Sequence, residues 1–259
     1  MKTVLTIAGS DCSGGAGIQA DLKTFTVHKV YGMSVITAIT VQNTLGVQEV
    51  FDLPKRLVEK QIDSIFTDIF PQAIKIGMVS SEPIINSISQ KLQEYSASNI
   101  VIDPVMISTS GCPLLSPSAS TALINCLLPQ ADIITPNIAE AEMISGQLIK
   151  DKKDMLKAAL ALSDRYPGYI LIKGGHLSDC SDDLLVYQNE VFWLQKKRLQ
   201  SHNTHGTGCT LSAAIAANLA LGLNMVQAVK NAKEFVFGAI KKAADLGKGQ
   251  GPLNHSWCI

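Results

Sequence analysis

His202-Asn203-Thr204-His205-Gly206-Thr207-Gly208-Cys209-Thr210 runs directly into the apolar residues 211–221. Two glycines, Gly206 and Gly208, flank Thr207 at the opening of a helix almost free of charge. A helix N-terminus exposes unpaired backbone N–H groups and the positive end of the macrodipole, which together suit an anion. Glycines there let an anion's oxygens approach the backbone with no Cβ in the way. Cys209 falls in the first turn, where a thiol is acidified and can face the bound anion. The same residues also read as an ordinary buried helix with a glycine-rich approach. The rest of the chain has to decide between the two.

Working outward, short apolar runs at 4–8, 34–41, 47–53, 73–77, 99–103, 131–135 and 169–173 predict strands. Helical stretches are expected at 54–66, 82–95, 116–128, 139–144, 151–165 and 225–246, with Pro54 and Pro117 suited to first turns. In the helix after Gly17, Ile18, Asp21, Leu22 and Phe25 fall on one stripe. Residues 184–188 and 191–194 predict a hairpin across Asn189-Glu190. Strands that are continuously apolar and alternate with helices make an α/β fold with a mostly parallel sheet between helical layers. No linker or repeat interrupts residues 1–259, so one domain is expected. Ligands of such sheets bind beyond the carboxyl ends of the strands. Those ends carry Gly9, Gln42, Gly77-Met78, Asp103, Asn137 and Lys173-Gly174-Gly175, a run of glycine and polar residues that packing alone does not require.

Composition narrows the function. Lys and Arg number 22 against 22 Asp and Glu, which leaves no charge argument for nucleic acid or an anionic membrane. No apolar run reaches the roughly 18 residues of a membrane span, and the first ten residues are too weakly apolar for a signal peptide. The six cysteines show neither Cys-x-x-Cys nor zinc spacing and fit reduced thiols of a soluble cytoplasmic protein.

Gly15-Ala16-Gly17-Ile18-Gln19-Ala20 satisfies a loose G-x-G-x-x-A. A dinucleotide site needs an acid about twenty residues on. No acidic residue stands between Asp21 and Glu49, so that reading fails. No P-loop motif is present either, so any ATP phosphates must be held another way, with residues 206–209 as the candidate. Asp21 points toward the sheet, which suggests a substrate contact as well as a simple helix-start acid. Asn137 and Glu140 fit a capping box, or, with Asp103 nearby, a magnesium–phosphate site. Lys173 fits a point charge for phosphate or a solvated strand end. His176, His202 and His205 read as polar loop groups.

Thr6-Ile7-Ala8-Gly9-Ser10-Asp11-Cys12-Ser13-Gly14-Gly15-Ala16-Gly17-Ile18-Gln19-Ala20-Asp21-Leu22-Lys23-Thr24-Phe25 resembles the N-terminal signature of bacterial hydroxymethylpyrimidine/phosphomethylpyrimidine kinases, of the ribokinase-like superfamily. Lys75-Ile76-Gly77-Met78, Asp103-Pro104-Val105-Met106, Thr135-Pro136-Asn137 with Glu140, Lys173-Gly174-Gly175-His176, residues 203–210 and Gly251-Pro252 follow in the same order. The resemblance covers essentially the whole chain. It implies a ribokinase-like three-layer α/β/α fold and ATP-dependent phosphorylation of 4-amino-5-hydroxymethyl-2-methylpyrimidine, first to the monophosphate and then to the diphosphate, for thiamine biosynthesis. Gly9, Asp21, Gln42, Met78 and Val105 are then expected at the pyrimidine, and Gly206, Thr207, Gly208 and Cys209 at the transferring phosphoryl. Lys173, Asn137 and Thr204 are expected on the nucleotide side, and Asp103 and Glu140 at Mg2+. Cys209 stands where sugar kinases carry an aspartate base; it serves either as a thiolate or as a packing group. The resemblance further implies a homodimer, with 34–53 as the interface. Pyridoxal kinases share much of this frame but tend to lack Gln42-Asn43-Thr44-Leu45-Gly46-Val47. The segment Ile107-Ser108-Thr109-Ser110-Gly111-Cys112 departs from both groups. A pyridoxal kinase and a catalytically idle pyrimidine-sensing protein are the alternatives.

Overall fold

Apolar side chains project from both faces of the central strands, so the sheet has to be covered twice. Leu5, Ile7, Ile74, Ile76, Ile100, Ile102, Ile134, Ile170 and Ile172 pack into one core, while Val4, Ala73, Val101, Ile133 and Leu171 pack into the other. The computed structural model describes residues 1–106, 115–175 and 181–259. The atypical segment 107–112 and His176 lie outside the described residues.

The chain runs β1 (Thr3–Asp11), α1 (Gly17–Val27), β2 (Tyr31–Asn43), β3 (Gly46–Asp52), α2 (Lys55–Phe66), β4 (Ala73–Ile76), α3 (Glu82–Glu94), β5 (Ile100–Ile102) and α4 (Pro117–Ala122). It continues through β6 (Ile133–Ile134), α5 (Ile138–Ser145), α6 (Lys152–Arg165), β7 (Tyr169–Ile172), β8 (Asp183–Tyr187), β9 (Glu190–Leu194), α7 (Thr207–Ala220) and α8 (Met225–Lys241). The described strands form one nine-stranded sheet in the order β3-β2-β1-β4-β5-β6-β7-β8-β9. Strands β1, β2 and β4–β7 are parallel, while β3, β8 and β9 join antiparallel at the edges. Residues of α1, α7 and α8 share one core, and those of α2–α6 the other. The expected helix 116–128 is shorter: after α4 the backbone widens over Leu123–Leu127 and tightens over Leu128–Gln130. Pro129 lacks an N–H and ends it. The last helix stops at Lys241 rather than 246.

Strand β1 lies between β2 and β4, because the chain builds outward on one side before returning to the other. Such a reversal opens a crevice at the strand ends. Next to it lies a fully buried ion pair. Asp21 of α1 accepts from Lys75 Nζ of β4 at 2.7 Å and from Thr6 Oγ1 of β1 at 2.6 Å. Asp21, Lys75 and Thr6 are all 0% exposed. Burial works against the Lys75 ammonium, but the Asp21 carboxylate more than offsets it and holds the lysine above its ordinary range. Removing one partner strands the other charge in a low-dielectric core, which costs about 3–5 kcal/mol. Lys75→Met is therefore expected to lower unfolding stability in urea titrations by about that amount. The double variant Asp21→Leu/Lys75→Met is expected to recover most of the loss, and equal losses in both would refute the pairing.

Candidate active site

Helix α7 begins with its cap residue in the left-handed region: Gly206 has φ 82. A Cβ on Gly206 would stand 1.8 Å from the carbonyl oxygen of Gly15, so only glycine fits there. The glycine loop after β1 and the glycine loop before α7 therefore touch through bare backbone. Gly17, with φ 56, allows the same loop to fold back on the Gly9 carbonyl, which a Cβ would approach to 2.4 Å.

Asp11 ties this junction together. Its Oδ1 accepts from the Ser13 N–H and hydroxyl at 2.9 and 2.8 Å, and its Oδ2 from the N–H groups of Gly15 and Ala16 at 3.1 and 2.8 Å. Oδ2 also lies 2.9 Å from His205 Nε2. The loop is thus an Asx-type turn whose remaining capacity is used by a histidine 194 positions away.

Across the crevice, Asp103 follows β5 and Lys173 follows β7. Lys173 Nζ donates to Asp103 Oδ1 at 2.7 Å, and the Thr135 hydroxyl donates to the same oxygen at 3.0 Å. Oδ2 turns toward α7: a Cβ on Gly208 would lie 3.1 Å from it and 3.4 Å from Lys173 Nζ. Burial disfavours the Lys173 ammonium, but the carboxylates of Asp103 and Glu140 outweigh it and keep the lysine charged. A helix N-terminus, an ammonium and a carboxylate thus converge where Gly208 has no side chain.

Glu140 and Asn137 are arranged differently from open ligands. The Asn137 N–H donates to Glu140 Oε2 at 2.8 Å, and the Glu140 N–H donates to Asn137 Oδ1 at 2.9 Å. This is the capping box of α5. The Met106 N–H also donates to Glu140, which is 2% exposed. Capping takes Glu140 Oε2 and Asn137 Oδ1, so both side chains expected at the magnesium and the nucleotide are anchored to the start of α5. Burial, opposed by Lys173 and reinforced by Asp103, pushes the Glu140 carboxyl up to about 7. Among the described residues no three His, Cys, Asp or Glu side chains group as a metal cluster. Magnesium needs no such cluster, since one or two carboxylates with waters and substrate phosphates suffice.

Cys209 is half-buried in the first turn of α7. Burial is the largest influence and pushes its thiol up, against the Lys75 ammonium and a hydrogen bond from the Gly17 N–H, which pull it down. Burial is thus the stronger influence on this thiol, against the acidification that its place in the first turn predicts. The Thr207 hydroxyl donates to the Thr204 carbonyl at 2.7 Å, while Thr204 itself is exposed.

On the other side of Cys209, Gly9 and Met78 adjoin, with Met78 Sδ 3.8 Å from a Cβ built on Gly9. Met78, Val105 and Gln42 are half-buried. Gln42 Nε2 lies 3.2 Å from His205 Nε2. Asp21, expected at the pyrimidine, pairs with Lys75, because a carboxylate on the inward stripe of α1 requires a counter-charge. Its Oδ1 has no hydrogen-bond partner. Sequence reasoning missed Asp11, Lys75 and His205 as site residues. The Asp11-Cys12-Ser13 turn is locally readable, but nothing local pairs Asp11 with His205.

Gly208→Val fills the space facing Asp103 and Lys173 without backbone strain. It is expected to abolish phosphoryl transfer while leaving the melting temperature and pyrimidine binding by calorimetry close to wild type. Retained turnover would remove Gly208 from the phosphoryl site.

The profile of the family described as phosphomethylpyrimidine kinase matches residues 11–254. The hydroxymethylpyrimidine/phosphomethylpyrimidine kinase of Haemophilus influenzae is 45% identical over 98% of this chain and 97% of its own. The crystal structure of a phosphomethylpyrimidine kinase from Clostridium difficile is similar with TM-score 0.84 and 49% identity, covering 93% of this chain and 100% of that one. An ADP complex of Bacillus subtilis pyridoxal kinase is similar with TM-score 0.91 and 38% identity, covering 99% of this chain and 98% of that one. With a family match over residues 11–254 and a relative 45% identical across nearly its whole length, the chain belongs to the phosphomethylpyrimidine kinases.

Proposed function

We propose that the chain uses ATP to phosphorylate the hydroxymethyl group of 4-amino-5-hydroxymethyl-2-methylpyrimidine, then the resulting monophosphate to the diphosphate, in thiamine biosynthesis. The observation that carries this reading is the convergence of Asp103 Oδ2 and Lys173 Nζ on the side-chain-free N-terminus of α7. Phosphoryl transfer is mainly positioning and charge stabilisation, and these groups supply both. The N–H groups at the start of α7 receive the transferring phosphoryl, and Lys173 adds a point charge on the nucleotide side. Asp103, through the oxygen not taken by Lys173, fits one end of a magnesium–phosphate arrangement, with Glu140 behind it as the brace of α5. Bound there, magnesium neutralises charge on the nucleotide's phosphates. Gly9, Met78, Val105 and Gln42 line the ring side, where Met78 packs flat and the Gln42 amide offers both a donor and an acceptor. The relationship to an ADP-bound kinase supports ATP as donor. One continuous sheet supports a single domain. No helix of the described residues is long and apolar enough to cross a membrane. The free thiols of Cys12, Cys126, Cys209 and Cys258 agree with a reducing cytoplasm.

In this reading Cys209, in its deprotonated form, takes the proton of the attacking hydroxyl. Because its thiol is raised, activity that depends on it climbs with pH toward that elevated value. Incubation with the pyrimidine, ATP and magnesium is expected to yield mono- and diphosphate. Cys209→Ala is expected to lower kcat on the order of a hundredfold and to flatten the alkaline climb. Absence of both products, or faster turnover of pyridoxal than of the pyrimidine, would overturn the assignment. A few-fold loss with an unchanged pH profile would leave Cys209 a packing role.

The same reading makes the protein a homodimer through the β2–β3 ribbon. Ile39 faces Phe51 across that ribbon, and with Val41 they are 48%, 62% and 46% exposed. Adjacent apolar residues on one sheet face mark an interaction surface. Light scattering is expected to give twice the 27.7 kDa chain mass and to fall to the monomer value in Phe51→Lys. A monomeric wild type would refute it.

A further inference from the structure

Where the two glycine loops meet, four polar side chains form a line. His205 Nε2 lies 2.9 Å from Asp11 Oδ2 and 3.2 Å from the Gln42 amide nitrogen. The Thr40 hydroxyl lies 2.8 Å from the Ser10 carbonyl and 3.3 Å from Gln42 Oε1. Asp11 and His205 are 2% and 5% exposed, so water does little to relieve a wrong pairing.

The protons can be counted. Burial opposes the Asp11 charge, but His205, Ser13 and the Ala16 N–H more than compensate and hold the carboxyl well below the usual range. An ionised carboxylate only accepts. His205 Nε2 therefore carries a proton, whether the ring is neutral or charged. With its amide nitrogen toward that N–H, Gln42 sets donor against donor. The single Thr40 hydroxyl proton is then also claimed by both Ser10 and Gln42. Amide oxygen and nitrogen are assigned from their partners, and turning the Gln42 amide over removes the donor–donor clash. The single His205 Nε2–H is then shared as a three-centre bond between Asp11 Oδ2 and Gln42 Oε1, the amide N–H donates to Thr40, and Thr40 donates to Ser10.

We propose that His205 is a positioning residue of the pyrimidine pocket. Its Nε2–H, shared between Asp11 and Gln42, fixes the Gln42 amide so that one oxygen lone pair and one N–H remain for the substrate ring. Those two match an amino group beside a ring nitrogen. A ring without that pair forfeits one of the two bonds. The proposal rests on the reading that Gln42 meets the ring, and it links specificity to the same histidine that joins the two glycine loops.

Two measurements test it. In the wild-type protein labelled with 15N-histidine, His205 is expected to keep a proton on Nε2 throughout the neutral range. A neutral ring protonated on Nδ1 alone would overturn the proposal and requires no variant to fold. The second is calorimetric binding of hydroxymethylpyrimidine and of pyridoxal to His205→Phe, Gln42→Leu and the double variant. His205→Phe is expected to weaken the aminopyrimidine about tenfold and pyridoxal by less than about twofold. In the Gln42→Leu background the same change is expected to add less than about twofold. Losses that multiply, or that are equal for both ligands, would overturn positioning while leaving Gln42 in the pocket. Unchanged binding in Gln42→Leu alone would overturn the pocket reading and the proposal together.

Discussion

Bare backbone at Gly206 presses on the carbonyl of Gly15, and no side chain fits between them. The candidate active site is arranged around that contact. It brings the loop after the first strand against the start of the penultimate helix, so the N-terminus of α7 opens into the crevice beside β1. A larger residue at either position would push α7 off the sheet and turn its N–H groups away from Asp103 and Lys173. Glycine is required here for close approach, and at Gly206 also for its left-handed backbone.

Around the contact, three deeply buried acids each find a base from a distant element. Asp21 of α1 pairs with Lys75 of β4, Asp103 after β5 with Lys173 after β7, and Asp11 after β1 with His205 before α7. Water screens such pairs poorly, so each fixes the relative position of two elements and shapes the field in the crevice. Lys75 pulls the Cys209 thiol down while burial pushes it up. Glu140, raised by burial and by Asp103, sits close to the protonation balance of neutral water. Preorganised charge of this kind suits a reaction in which negative charge shifts between oxygens and the protein itself moves little.

Pyridoxal kinases share this architecture closely, as the Bacillus subtilis neighbour shows. A fold common to two ring substrates cannot itself choose between them. The choice falls to the few polar atoms at the ring edge, and in the proposed pocket Gln42 is the residue whose donor and acceptor can be exchanged by turning one amide.

Much of the fold was legible in the sequence. Apolar runs broken by Gly9, Asp103, Asn137 and Lys173 marked the parallel strands and the edge where ligands bind, because a strand buried on both faces has to be continuously apolar. Gly206 and Gly208 marked a helix start open to an anion for the equally local reason that only glycine leaves the N–H groups bare. The Asn137–Glu140 capping box is set by spacing alone. Tertiary structure decided what depends on partners far along the chain. Asp21 proved to be a buried ion-pair member because Lys75 arrives from another strand, and the Cys209 thiol is pushed up rather than down because burial outweighs the Lys75 ammonium. His205 left the class of loop polar groups because Asp11 reaches it from the other end of the chain. Sequence periodicity records which face a side chain takes, whereas its charge and bonding depend on the neighbours that folding brings to it.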